Sequence, residues 1–220
     1  MLAIVQTFGP EFSDAQGALD AQKDPSGTIR GQNILFHSPL PVLDFLGDGS
    51  RGFAMFDTDI RLTEVAKWIR QSFGKIDGDL NFWFFDKAAN AYPARRSYRK
   101  ALSLRFKVDL MDAMAGYVWE RYLGTMMRFE GDFNADKRPD LLVREETNRL
   151  AVYLNTGDRA ALFPDKPSVN IEGVPAFGGL ALEDLNGDGA TDLLLYRGSF
   201  DFAPSPNPYD VIAAYISHLK

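Results

Sequence analysis

Two short acidic stretches have the residue types and spacing of a cation site. Asp184, Asn186, Asp188 and Asp192 place oxygen-bearing side chains at offsets 0, 2, 4 and 8, and Asp132, Asn134, Asp136 and Asp140 repeat the pattern. A loop of that length can wrap carboxylate and amide oxygens around a hard cation such as calcium. A third stretch keeps Asp44 and Asp48 but has Leu46 and Gly52 where two ligands would stand. It is expected to keep the turn and to leave its calcium position empty or weak.

Such loops need elements on both sides to hold them, and the flanking sequence is strand-like. Apolar segments enter (Thr125 to Phe129, Leu180 to Leu182) and leave (Leu141 to Val143, Leu193 to Tyr196) the two full loops. Phe53 to Phe56 leaves the worn one, followed by an aromatic strand within Asp79 to Asp86 and an alternating one over Ala101 to Val108. Arg149 to Leu154, Ser168 to Glu172 and Asp210 to Ser217 complete the later units, while Leu2 to Phe8 and Asn33 to His37 are short strand candidates near the start.

The first residues of the three loops lie 88 and 52 residues apart, and the shorter spacing is close to one four-stranded propeller blade. The longer spacing leaves room for insertions. Leu62, Val65, Ala66, Ile69 and Phe73 recur at helical spacing, with Gly74 as a stop, which predicts a helix over Leu62 to Phe73. A second helix is predicted over Leu110 to Leu123, whose Met114, Tyr117, Val118, Trp119 and Tyr122 form a wide apolar face for packing.

The expected fold is therefore all-β in the main, a propeller-like array of about three four-stranded blades with two helical insertions, incomplete as a ring. Its units run over residues 1–40 (partial), 41–124, 125–179 and 180–220 (partial). An assembly between chains that completes the ring is one expectation from that shortfall.

The stretches Gly131 to Val143, Leu150 to Gly157 and Glu183 to Leu195 resemble the FG-GAP/VCBS repeats, the calcium-loop β-propeller blades of integrin α-subunit heads and of many bacterial surface and secreted proteins. The resemblance implies two calcium ions. Asp132, Asn134, Asp136 and Asp140 would hold one with the Arg138 carbonyl, and Asp184, Asn186, Asp188 and Asp192 the other with the Ala190 carbonyl. It also implies a non-catalytic scaffold or binding module for protein or glycan ligands, in an extracellular or cell-envelope setting. The alternative is the propeller of a carbohydrate-active enzyme whose catalytic residues lie in the insertions, around the Trp68 helix, or elsewhere.

Other readings compete for the same residues. An EF-hand loop shares the opening spacing but needs an acidic twelfth residue and flanking helices; here Val143 and Leu195 take that place. A metal-free reading treats Asp, Asn and Gly as turn formers, though two copies with the same fourth Asp and the same Asp-Leu-Leu exit favour calcium.

Composition narrows the functional classes. A net charge of -6 and a pI near 5.0 argue against nucleic acid, whose phosphates need a basic face. The basic run Arg95 to Lys100 is read as a solvated hairpin edge that discourages strand aggregation, in preference to an anion-binding patch. Without cysteine and with only His37 and His218, nucleophilic triads and histidine-based zinc sites lack material, and no catalytic residue is assigned. No apolar run reaches the ~20 residues of a membrane span, so no membrane insertion is expected. The start has no basic n-region or apolar h-region, which predicts a cytoplasmic chain or one whose export signal lies elsewhere.

Overall fold

The computed structural model describes residues 42–58, 71, 73–107, 127–146, 148–174, 179–198 and 209–218. Every element in them is a β-strand: β1 (Gly52–Thr58), β2 (Phe73–Phe84), β3 (Tyr98–Lys107), β4 (Met127–Arg128), β5 (Leu141–Glu146), β6 (Arg149–Tyr153), β7 (Val169–Glu172), β8 (Gly179–Glu183), β9 (Asp192–Gly198) and β10 (Tyr209–Tyr215). They form three antiparallel sheets in meander order, β1-β2-β3, β4-β5-β6-β7 and β8-β9-β10. None of the three closes on itself.

In each sheet an acidic loop joins the first pair of chain segments. In the second sheet the loop at Asp132 connects β4 to β5, and in the third the loop at Asp184 connects β8 to β9. In the first, Leu43 and Gly52 exchange both backbone hydrogen bonds across the Asp44 loop, at 3.0 and 2.7 Å. Among the described residues, which begin at 42, this bridge stands where β4 and β8 pair with the strand after the loop in the other two sheets.

The sheets stack through two apolar cores. Phe82, Phe84 and Leu104 of the first sheet meet Leu141, Val143 and Tyr153 of the second, and Phe45, Phe129 and Phe163 pack edge-to-face or tilted among them. Leu142, Leu150 and Val152, on the opposite face of the second sheet, meet Leu180, Leu193 and Leu195 of the third. The second sheet is thus buried on both faces, which is why β5 reads Leu141-Leu142-Val143 with no polar alternation.

Polar ties reinforce the first contact. The Tyr98 hydroxyl donates to the Phe163 carbonyl at 2.9 Å and accepts from the Phe163 N–H at 3.2 Å. Lys100 corrects the expectation of a solvated basic edge: it is 5% exposed, its ammonium donates to the Pro164 and Asp165 carbonyls, and it sits 4.2 Å over the Tyr153 ring. Burial holds this ammonium below the usual lysine range, with the charges of Asp165 and Glu145 opposing the shift. Arg95 and Arg96 are exposed as expected.

The helix over 62–73 is corrected at its C-terminal end. Phe73 and Gly74 are extended and pair with Lys107 and Phe106, so the inferred glycine stop is an interior position of β2. Gly78 further along β2 has a steric reason to be glycine. A Cβ there would stand 2.5 Å from the Phe56 ring and 2.7 Å from the Asp57 carbonyl. The remainder of that helix, except Gln71, lies outside the described residues. So do the whole of the Leu110 to Leu123 helix, the early strands Leu2 to Phe8 and Asn33 to His37, and His37 itself.

Candidate functional site

The three acidic loops share one hydrogen-bonding scheme, set by local chemistry. The carboxylate at offset 0 accepts from the N–H groups at offsets 4 and 5: Asp44 from Asp48 and Gly49 (3.2 and 2.7 Å), Asp132 from Asp136 and Lys137 (3.0 and 2.7 Å), Asp184 from Asp188 and Gly189 (3.2 and 2.9 Å). The carboxylate at offset 4 then accepts from the N–H at offset 6, at 2.7 Å in Asp48 and 2.9 Å in Asp136 and Asp188. The turn is kept in the worn loop, as the sequence predicts.

Offsets 3 and 5 are left-handed in all three loops. Glycine takes these positions at Gly47, Gly49, Gly187 and Gly189, whereas the Asp132 loop places Ala135 (φ 58°) and Lys137 (φ 66°) there. A side chain with a Cβ is disfavoured in that region.

The fourth acidic position does more than complete an oxygen count. Asp140 is fully buried and accepts from the Phe133 and Asn155 N–H groups, each at 2.7 Å. Asp192, 1% exposed, accepts from Leu185 at 2.9 Å and Ser217 at 2.7 Å. Each carboxylate therefore clamps its own loop to the end of the third strand of the sheet. Burial pushes the Asp140 carboxyl up to about 7, against those two backbone bonds, and the charges of Asp136 and Asp132 push it the same way. In the worn loop Gly52 replaces this residue, and a Cβ there would lie 2.9 Å from the Phe84 ring.

The loops lie side by side. The Asp132 carbonyl accepts from the Thr191 N–H at 2.6 Å, and the Thr191 hydroxyl accepts from the Asp132 N–H at 2.9 Å. On the other side the Asn155 amide donates to the Phe45 carbonyl at 2.8 Å, and the Arg138 side chain packs beside Gly47 and Gly157.

The side chains assigned to cation binding are thus gathered loop by loop, and their oxygens are partly engaged. Among the described residues no group of three or more His, Cys, Asp or Glu side chains converges as a ready-made metal cluster. A carboxylate oxygen that accepts one N–H nevertheless keeps a further acceptor site. Asn134 gives the more pointed observation: its Oδ1 is buried with no hydrogen-bond donor, while its amide nitrogen donates to Asp136 at 2.9 Å. An orphaned acceptor at offset 2 of an acidic loop fits a cation ligand.

Arg138 holds a contribution the sequence did not disclose. Beyond the carbonyl assigned to it, its guanidinium pairs with Asp136 and donates from Nε to the Asn155 carbonyl at 3.2 Å. The Asp132 loop therefore carries an internal cation. The Asp184 loop has no arginine; Asp188 is held below the usual carboxylate range by the Ala190 N–H, then by Asn186, with a smaller contribution from His218. In the worn loop Lys87 donates to the Asp48 carbonyl at 2.7 Å.

Strands flank both full loops, which removes the EF-hand reading. Residues 132–195 match the family model of the FG-GAP-like repeat. The match opens on the first acidic residue of one loop and closes in β9, just after the other. The two loops thus mark out one repeat length, with β5, β6, β7 and β8 between them. No curated protein matches the chain significantly.

Proposed function

We propose that this chain is a calcium-binding, β-propeller-type repeat module that serves as a non-catalytic scaffold or binding surface for protein or glycan. The stacked antiparallel meanders, with their acidic loops side by side at one end, support the propeller reading. The observation that carries the calcium reading is the repeat of four ligand-type side chains at identical offsets in two loops, with the unpartnered Asn134 Oδ1 among them.

One ion would be held by Asp132, Asn134, Asp136 and Asp140 with the Arg138 carbonyl, the other by Asp184, Asn186, Asp188 and Asp192 with the Ala190 carbonyl. Bound calcium supplies positive charge where three carboxylates share one short loop, relieving their repulsion and the cost of burying the fourth-position carboxylate. The internal hydrogen bonds hold the turns without it. Its effect is therefore to stiffen the loop end of the sheets. The Arg138 guanidinium on Asp136 competes with the ion in the first loop, so the Asp184 loop binds more tightly.

Partly engaged ligands make for modest affinity, which suits the high calcium of an extracellular or envelope setting. Thermal melting in chelator and in saturating calcium tests the reading. A rise in melting temperature with calcium, reversed by chelator, is expected. Identical melting in both would exclude structural calcium.

A further inference from the structure

The two full acidic loops are tied to each other through the residues assigned to their ions. Thr191 stands at offset 7 of the Asp184 loop, between Ala190 and Asp192, both assigned to one ion. Its hydroxyl accepts from the Asp132 N–H at 2.9 Å, and its own N–H donates to the Asp132 carbonyl at 2.6 Å. Both backbone groups of the first residue of one loop are thus held by the exit of the other. Offset 7 of the Asp132 loop is Pro139, which has neither an N–H nor a hydroxyl and cannot hold Asp44 in this way.

A second route links the buried carboxylates themselves. Asp192 accepts from the Ser217 N–H at 2.7 Å, the Ser217 hydroxyl donates to the Phe133 carbonyl, and the Phe133 N–H donates to Asp140 at 2.7 Å. One serine and the backbone of one phenylalanine therefore separate the fourth-position carboxylates of the two loops. The equivalent route from Asp140 runs through Asn155 to the Phe45 carbonyl and ends there, because Gly52 offers no carboxylate to the Phe45 N–H.

We infer that the two loops bind calcium as a coupled pair: an ion in the Asp184 loop tightens binding in the Asp132 loop, and the reverse by the same factor. This rests on the calcium reading above and adds the regulation of one site by the other. An ion held by the Ala190 carbonyl and Asp192 fixes Thr191 between them, and through it the backbone of Asp132 and Phe133. The second ion then meets a first ligand that is already ordered, so its binding costs less conformational entropy. Charge acts the other way, because an ion in one loop sets two positive charges beside the other. The Asp184 loop is exposed, so salt screens that opposing effect and leaves the hydrogen bonds between the loops intact. Coupling is therefore favourable at physiological ionic strength and grows as salt is added.

Calorimetric titration with calcium at about 0.15 M salt tests it. The Asp184 loop fills first in wild type, so the second binding step reports the Asp132 loop with its neighbour filled. Asp188→Ala reports the same loop with its neighbour empty. Binding in the Asp132 loop is expected to be at least about fivefold tighter in wild type than in Asp188→Ala. Thr191→Val loses the hydroxyl on Asp132, and Ser217→Ala loses the one on Phe133. A chain carrying both should still bind two ions, with the same comparison, made with and without Asp188→Ala, falling toward one. Equal affinity of the Asp132 loop in wild type and Asp188→Ala overturns the coupling and leaves the calcium reading standing. Wild-type protein that binds no calcium overturns both. A ratio undiminished by Thr191→Val with Ser217→Ala overturns the assigned route.

Discussion

Replacing Asp140 with alanine, in protein stripped of divalent cations, separates two roles for the fourth acidic position. If Asp140 served only as a calcium ligand, chelated protein would not notice its loss. The structure gives it a second role: its two oxygens satisfy the buried N–H groups of Phe133 and Asn155, each at 2.7 Å, and it is fully buried. Orphaning two buried donors costs about 1–3 kcal/mol each. Removing a buried charge whose carboxyl is already pushed up to about 7 returns part of that. The net destabilisation expected is about 2–4 kcal/mol, or roughly 5–15 °C in melting temperature for a chain of this size. Urea unfolding followed by tryptophan fluorescence in chelator reads it directly, with Asp188→Ala as the control. Asp188 is exposed and takes one backbone N–H, so its loss should leave the unfolding midpoint in chelator close to that of wild type. If Asp140→Ala matched wild type in chelator and differed only with calcium, the clamp would be refuted and only the ligand role would stand.

Three further outcomes follow from the same geometry. Asp136→Ala and Asp188→Ala should each remove one calcium per chain in a calorimetric titration, whereas Asp48→Ala leaves the number unchanged; loss on Asp48→Ala would mean that the worn loop binds. Ala135→Gly and Lys137→Gly, at left-handed positions where the other loops carry glycine, should each stabilise by about 0.5 kcal/mol in thermal unfolding, and a loss of stability would contradict the strain assigned there. Tyr98→Phe removes the hydroxyl that joins the first sheet to both backbone groups of Phe163, and should cost about 1–3 kcal/mol in urea unfolding; an unchanged midpoint would show that apolar packing alone holds that contact.

Much of this was legible in the chain because the signals are local. Asp and Asn at fixed offsets specify turns through hydrogen bonds within a few residues, and the strands around them announce themselves by apolar runs and alternation. What escaped depends on partners far away in sequence. Phe73 continues a helical spacing, yet its pairing with Lys107 across the sheet makes it strand. Lys100 reads as surface by its charge, but the carbonyls of Pro164 and Asp165, more than sixty residues on, give its ammonium a buried seat. Nothing in the pattern Asp-x-Asn-x-Asp reveals that its fourth acidic partner also receives N–H groups from Asn155 or Ser217. The side chain of Arg138, named for its carbonyl alone, turns back on Asp136.

Two loops of this chain are proposed to bind calcium. Equilibrium dialysis of wild-type protein against calcium, with bound metal counted by elemental analysis, counts the sites. Two ions per chain are expected, falling to one in Asp188→Ala with the weaker site remaining. Wild-type protein that retains no calcium at saturating concentration would contradict the claim and leave the loops as self-sufficient turns.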